Sequence, residues 1–128
     1  GALFDVGPHV LDLLDAVAGP ISGVDAARYD AASDTWTAQL SHDGGATSTL
    51  SLSLRTPVLP TVMRVSAHSA QGMAVLESRE TPSTECFRVL LDEFLAVIAT
   101  GADHPLDVRR GLDLQRVIAQ VQAAPSAP

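Results

Sequence analysis

The chain contains no lysine: all 8 of its basic residues are arginine, against 15 acidic ones, for a formal net charge of −7 across 128 residues. Binding to nucleic acid or to an anionic membrane draws on clustered Lys and Arg. Here only Arg109 and Arg110 are adjacent, with Asp107 and Asp113 beside them. The composition therefore argues against both partners, and the missing lysine excludes a Lys base or Schiff base supplied by this chain. Cysteine is almost absent too. With Cys86 alone, no intramolecular disulfide can form, which fits a reducing compartment. No apolar run reaches about 18 residues, so no bilayer-spanning segment is expected. No signal-peptide pattern opens the chain, and a cytoplasmic location is the expectation. The opening at Gly1, directly on an apolar-patterned segment, reads as a piece excised or processed from a longer protein.

Several chemical signatures are also lacking. There is no G-x-G-x-x-G after a strand, no P-loop and no G-x-S-x-G nucleophile elbow. Nothing in the chain is a recognisable cradle for a phosphate or a dinucleotide.

What is present is a core-forming composition, 46% apolar and 18% charged. At this length one compact domain can bury roughly two-thirds of its unfolded surface without a metal or disulfide. Ala2 to Ala18 predicts a helix, because Leu3, Val6, Val10, Leu13, Leu14 and Val17 recur at helical spacing. Gly19-Pro20 stops it, and Pro8 kinks it or resets its start. Between Ser22 and Ser78 the pattern turns to alternation. Strands are expected at Val24–Tyr29, Thr35–Ser41, Ala46–Arg55, Thr61–His68 and Met73–Ser78. Trp36, Ala38 and Leu40 share one face of the first hairpin with Leu50, Leu52 and Leu54. His42-Asp43-Gly44-Gly45 forms its turn. Pro57 and Pro60 interrupt the sheet. The last third is helical again, from a Ser83 or Thr84 cap to Ala99, and from Val108 to Gln122 before a frayed tail. Phe87, Leu90, Leu91, Phe94, Leu95 and Ile98 make the first stripe; Leu114, Val117, Ile118 and Val121 face inward on the second. Strands followed by segregated helices argue for an α+β fold: a largely antiparallel open sheet with helices packed on one face.

Asp5, His9 and Asp12 are the densest polar constellation. Their i, i+4, i+7 spacing sets them on one helical stripe. A histidine flanked by carboxylates suits general acid–base work near neutral pH. The same spacing also describes the water-facing side of a helix. A carboxylate–imidazole metal site would need further ligands. His42, His68 and His104 are isolated, so no metal is expected, and each reads as a surface or packing histidine. Cys86 reads as a half-buried, inert thiol. The other face of the first hairpin carries Thr35, Thr37, Gln39, Ser41, Thr47, Thr49, Ser51 and Ser53. This uncharged hydroxyl face is either solvated or packs on a second copy of the chain.

Gly1 through Leu14 resembles the G-x-L-x-D-x-G-x-H-x-x-D-L-L helix that opens the C-terminal part of Gfo/Idh/MocA oxidoreductases. Gly19-Pro20-Ile21 with Val24-Asp25-Ala26 is similar to the family's link into its first strand. Asp43-Gly44-Gly45-Ala46 is similar to its hairpin turn. Phe87 through Phe94, then Gly101, Pro105, Asp107 and Gly111-Leu112, resemble its closing pattern. The resemblance covers nearly the whole chain.

It implies that residues 1–128 are one C-terminal domain of the GAPDH-like type, the substrate-binding and oligomerisation half of an NAD(P)-dependent dehydrogenase. The Rossmann domain, with its Gly-rich fingerprint and Glu-Lys-Pro motif, is not in this chain. By the resemblance, NAD or NADP is bound by that absent half, no cofactor is held here, and the fragment alone is inactive. The substrate is a polyol, sugar or similar hydroxyl compound. His9 and Asp5 are the catalytic pair, with Asp12 joining them in substrate binding, and the open sheet face forms a homo-oligomer. A non-catalytic dimerisation or ligand-binding module is the alternative.

Overall fold

The structure is a computed structural model that describes residues 1–57, 62–77 and 83–124. Two helices open the chain, α1 (Ala2–Asp5) and α2 (Gly7–Ala18). Five strands follow: β1 (Ile21–Asp30), β2 (Thr35–His42), β3 (Thr47–Ser53), β4 (Arg64–Ser69) and β5 (Gly72–Glu77). Helices α3 (Ser83–Thr100) and α4 (Val108–Ala123) close it. The expected strand residues Thr61 and Ser78, the sheet-breaking Pro60, the side chain of the expected Ser83 cap and the end of the tail lie outside what the structure describes.

The protein is α+β with antiparallel sheets. One sheet has the order β1-β2-β3, and β4 pairs with β5 in a second, separate hairpin. A single sheet was the expectation; β3 and β4 are not paired, so the strands divide three and two. Alternation explains the three-stranded sheet. In the β2–β3 register Ala38 faces Leu50, and Trp36 faces Leu52. Ala38, Leu40, Leu50 and Leu52 are all buried on one side, with Ala27 of β1. Leu54, expected to continue that face, lies past the end of β3 and is half exposed.

Helices α1, α2 and α4 cover this apolar side. Leu3, Leu11, Ile118 and Val121 are essentially inaccessible and complete the core. Removing such a side chain to alanine costs roughly 2–5 kcal/mol, because the cavity only partly collapses. Helix α3 does not join this layer. The six apolar residues of its stripe are between 55% and 64% exposed, so the expectation of helices on one face holds for α1, α2 and α4 only.

Local chemistry sets the joints. Gly19 ends α2 with φ of 91°, and its N–H donates to the Asp15 carbonyl at 3.0 Å. A Cβ there would meet the Asp43 carbonyl oxygen at 3.3 Å, so glycine serves both the left-handed turn and the close approach. The β2–β3 turn runs through Gly44 and Gly45 at φ of 89° and 86°, as Asp-Gly-Gly predicts. Tyr29 and Trp36 are cross-strand partners and stack with ring centroids 4.8 Å apart.

The β1–β2 turn is held by Asp30. Its carboxylate accepts from the Ser33 hydroxyl at 2.7 Å and from the Ala32 N–H at 3.0 Å. The Ser33 hydroxyl, helped by that N–H, holds the Asp30 carboxyl below its ordinary value of 3.8. A depressed folded pKa stabilises the turn above the unfolded value, and the stabilisation is lost as pH falls through the folded one. Ser33→Ala is expected to move the Asp30 pKa back up toward 3.8 in an NMR titration. An unchanged titration would remove the hydroxyl as the cause.

Candidate functional site

The opening helix is not one continuous element. Proline 8 has no N–H to give to the Phe4 carbonyl, so α1 stops at Asp5 and α2 restarts at Gly7 with Pro8 in its first turn. Val6 stays right-handed at φ −96° and ψ −24°. Bonds from Val6 N–H to Ala2 O and from Val10 N–H to Val6 O carry the winding across the break. The helical phase survives, and the stripe of Asp5, His9 and Asp12 survives with it.

The three residues nevertheless part company. Asp5 and His9 are exposed. Neither side chain makes a hydrogen bond or ion pair with any described residue, including each other. The imidazole is thus not held between two carboxylates, as the spacing suggested. Asp12 turns instead to α4, 98 residues along the chain. Its Oδ1 accepts from Arg110 Nε at 2.7 Å and from Nη2 at 2.6 Å. The third guanidinium nitrogen, Nη1, reaches Asp15 Oδ2 at 2.9 Å. The other oxygen of Asp15 accepts the Ile21 N–H at 2.8 Å, which ties α2 to the start of β1.

Arg110 is therefore a clamp between two carboxylates one turn apart. Its side chain is 23% exposed. Burial pulls its pKa down, but the bonds to Asp12 and the nearby charge of Asp15 outweigh that and hold it above its ordinary range. Asp107 sets the clamp's position by capping α4: its carboxylate accepts from the Arg109 N–H at 2.8 Å and the Arg110 N–H at 3.0 Å. No local pattern announced this contact, since the two arginines look equivalent in sequence and the carboxylates lie in another element.

Beside α2 runs a groove of about 1040 Å³. Its floor is the apolar side of the helix, Val6, Val10, Leu14 and Val17, and its walls are β3 and the β4–β5 hairpin. Asp5 and His9 are not among its lining residues. They stand on the adjoining, open side of the helix.

The other histidines divide. His42 is a packing residue, 3% exposed. Its Nδ1–H donates to the Gly19 carbonyl at 2.6 Å, and its Nε2 accepts from the Ser48 hydroxyl at 2.8 Å, which sets the tautomer. It thereby locks the α2 terminus to the β2–β3 hairpin. His104 accepts the Leu106 N–H at Nδ1 and faces Glu93 at 3.3 Å through Nε2. His68 is exposed on β4. Cys86, expected to be half buried, is exposed, like the apolar stripe of α3 that it flanks. Among the described residues, no three His, Cys, Asp or Glu are placed to hold a metal ion. No helix of the described residues is long and apolar enough to cross a membrane. On the hydroxyl face, Thr37 lies opposite Ser51 and Gln39 opposite Thr49, all four exposed.

Comparison of the chain with family models, with curated proteins and with solved structures gave no match.

The clamp makes a sharp contrast between neighbours. Arg110→Gln is expected to lower unfolding stability by roughly 1–3 kcal/mol, the range for charge-assisted hydrogen bonds lost from a partly buried site. Arg109 is 77% exposed in side chain and 3.6 Å from Asp107, and Arg109→Gln is expected to stay within about 0.5 kcal/mol of wild type. Urea denaturation of the two variants measures the difference, and equal effects would remove the clamp's structural role.

Proposed function

We propose that this chain is the substrate-side half of an NAD(P)-dependent oxidoreductase of Gfo/Idh/MocA type, with a GAPDH-like C-terminal domain. The substrate is a polyol, sugar or similar hydroxyl compound. The observation that carries this reading is the division of labour along the opening helix. Asp12 and Asp15 are both held by Arg110, while the side chains of Asp5 and His9, on the turns before them, are left open and unengaged. An imidazole and a carboxylate one turn apart and facing solvent can meet a substrate brought to the helix from outside the domain.

In this reading His9 takes the proton of the substrate hydroxyl, and Asp5 accepts a hydrogen bond from a neighbouring hydroxyl and so orients the carbon that reacts. Asp12 contributes indirectly, since its bond to Arg110 fixes the helix that presents the other two. The nicotinamide supplies the hydride acceptor. The described residues do not fit the dinucleotide itself. No Gly-rich turn precedes a helix, and the first free N–H groups of α4 are already occupied by Asp107. The cofactor is therefore assigned to another domain of the parent protein, and the 128-residue chain alone is assigned no turnover. A reducing, cytoplasmic setting fits a single exposed thiol.

The test uses the parent polypeptide with NAD⁺ or NADP⁺ and a panel of polyols and sugars. His9→Ala is expected to lower kcat/KM by about 10²–10⁴-fold, the usual contribution of a general base. Asp5→Asn is expected to act chiefly on KM. Both side chains are exposed, so the folded domain should survive either change. Full activity in His9→Ala would end the assignment.

A further inference from the structure

The groove beside α2 lies between two strands that each have an unpaired side. β3 pairs only with β2, and β4 only with β5. A groove running over the face of a sheet touches alternate residues, since side chains point up and down in turn. This one is lined by every residue of 46–54 and of 62–69, so it runs along the edges of β3 and β4. The His42 N–H bonds the Ala46 carbonyl. In that ladder Ser48, Leu50 and Leu52 bond to β2, and the N–H and C=O groups of Thr49 and Ser51 point away from it, to the groove side.

We propose that this groove takes an extended peptide segment of another protein, added as a strand between β3 and β4. Its backbone bonds the open edge of β3, and its alternate side chains rest on Val6, Val10, Leu14 and Val17 of α2. A segment as long as the 7 residues of β3 is enough. The added strand also joins the β4–β5 hairpin to the larger sheet, and a lone two-stranded hairpin is marginal in water. Charge narrows the occupant further. The chain carries a net charge of −7, yet among the described residues no acidic side chain lines the groove, and the ionisable ones that do are Arg64 and His68 of β4. Arg64 also meets Glu77 across the hairpin at 3.5 Å, an exposed pair that holds it only weakly. The segment is therefore apolar on one side and acidic rather than basic.

Other sites and other occupants fit less well. The outer edge of β1 is the rival place for a strand, but its register shifts between Ile21 and Gly23 and between Val24 and Ala26, and such irregularities interrupt a ladder. The β2–β3 and β4–β5 pairings carry no shift. The stretches of this chain that follow β3 and α4 contain Pro57 and Pro60, and Pro125 and Pro128, which have no N–H to give to a ladder. A second copy presents no unpaired strand among the described residues. This assignment stands apart from the proposed activity, since Asp5 and His9 do not line the groove.

Fluorescence anisotropy tests it, with the full chain and a capped, labelled octapeptide in which valine alternates with threonine and glutamate. Half-saturation is expected below about 100 µM. N-methylating every second peptide nitrogen removes the ladder donors of one edge and is expected to weaken binding at least tenfold. Replacing glutamate by lysine in the peptide is expected to weaken it as well. Val17→Glu changes a half-exposed residue of the floor. Ser51→Pro removes an N–H that points away from β2 and leaves the β2 ladder in place. Each is expected to weaken binding at least tenfold, with Trp36 fluorescence reporting that the sheet is folded; if Ser51→Pro does not fold, Val17→Glu decides. No binding at about 1 mM overturns the proposal. So does an N-methylated peptide that binds equally well, which would leave a groove for apolar side chains without a ladder. Unchanged binding in folded Val17→Glu overturns it too, as does peptide binding that is lost when the chain associates, which would give the groove to a second copy.

Discussion

The contact between Arg110 and the Asp12–Asp15 pair is the constraint on which the arrangement of this molecule turns. It joins the last helix to the first one. It also fixes α2 against β1, because Asp15 accepts the Ile21 N–H with the oxygen that Arg110 leaves free. A guanidinium is suited to this task. Its planar fork presents several donors at once, and it stays charged at any relevant pH. Beneath the clamp, Leu11 and Leu14 of α2 meet Ile118 and Val121 of α4 over the buried side of the sheet. Burial supplies most of the free energy, and the ion pair sets the register in which the helices lie.

The clamp also divides the acidic residues of the opening helix into held ones, Asp12 and Asp15, and an open one, Asp5. A carboxylate bound to a partly buried arginine is not free to meet a substrate. One that faces water is. The difference between Asp12 and Asp5 is therefore decided by an arginine at the far end of the chain, not by the helix that carries both. Pro8 contributes by dividing the helix without unwinding it, so that Asp5 and His9 keep their common side across the break.

A second asymmetry lies between two surfaces. The hydroxyl face of the β1–β2–β3 sheet is open but at ease in water, as antiparallel sheets commonly are on one side. The stripe of α3 is open and unfavourably hydrated. Alternation and helical periodicity mark both as distinct faces, yet neither pattern says which one is covered. Both are exposed in the packed chain, and what separates them is the cost of hydrating apolar rather than hydroxyl side chains.

Elements whose cause is local were legible in the sequence. The five strands and the two closing helices fall within a few residues of their expected positions, and the glycines mark the expected turns. The inward sides of β2, β3 and α4 were equally plain, since Leu40, Leu50, Ile118 and Val121 follow the periods of strand and helix. The stripe of Asp5, His9 and Asp12 was legible as a stripe, but its contacts were not. The sequence by itself determined secondary structure, the α+β class and which residues share a face, because these depend on neighbours within about one turn or one pleat. Only the tertiary structure decided that Arg110 rather than Arg109 holds Asp12, that the strands part after β3, and that α3 stands clear of the core. Each of those depends on where distant segments meet, and the energies that choose among such meetings are summed over the whole fold.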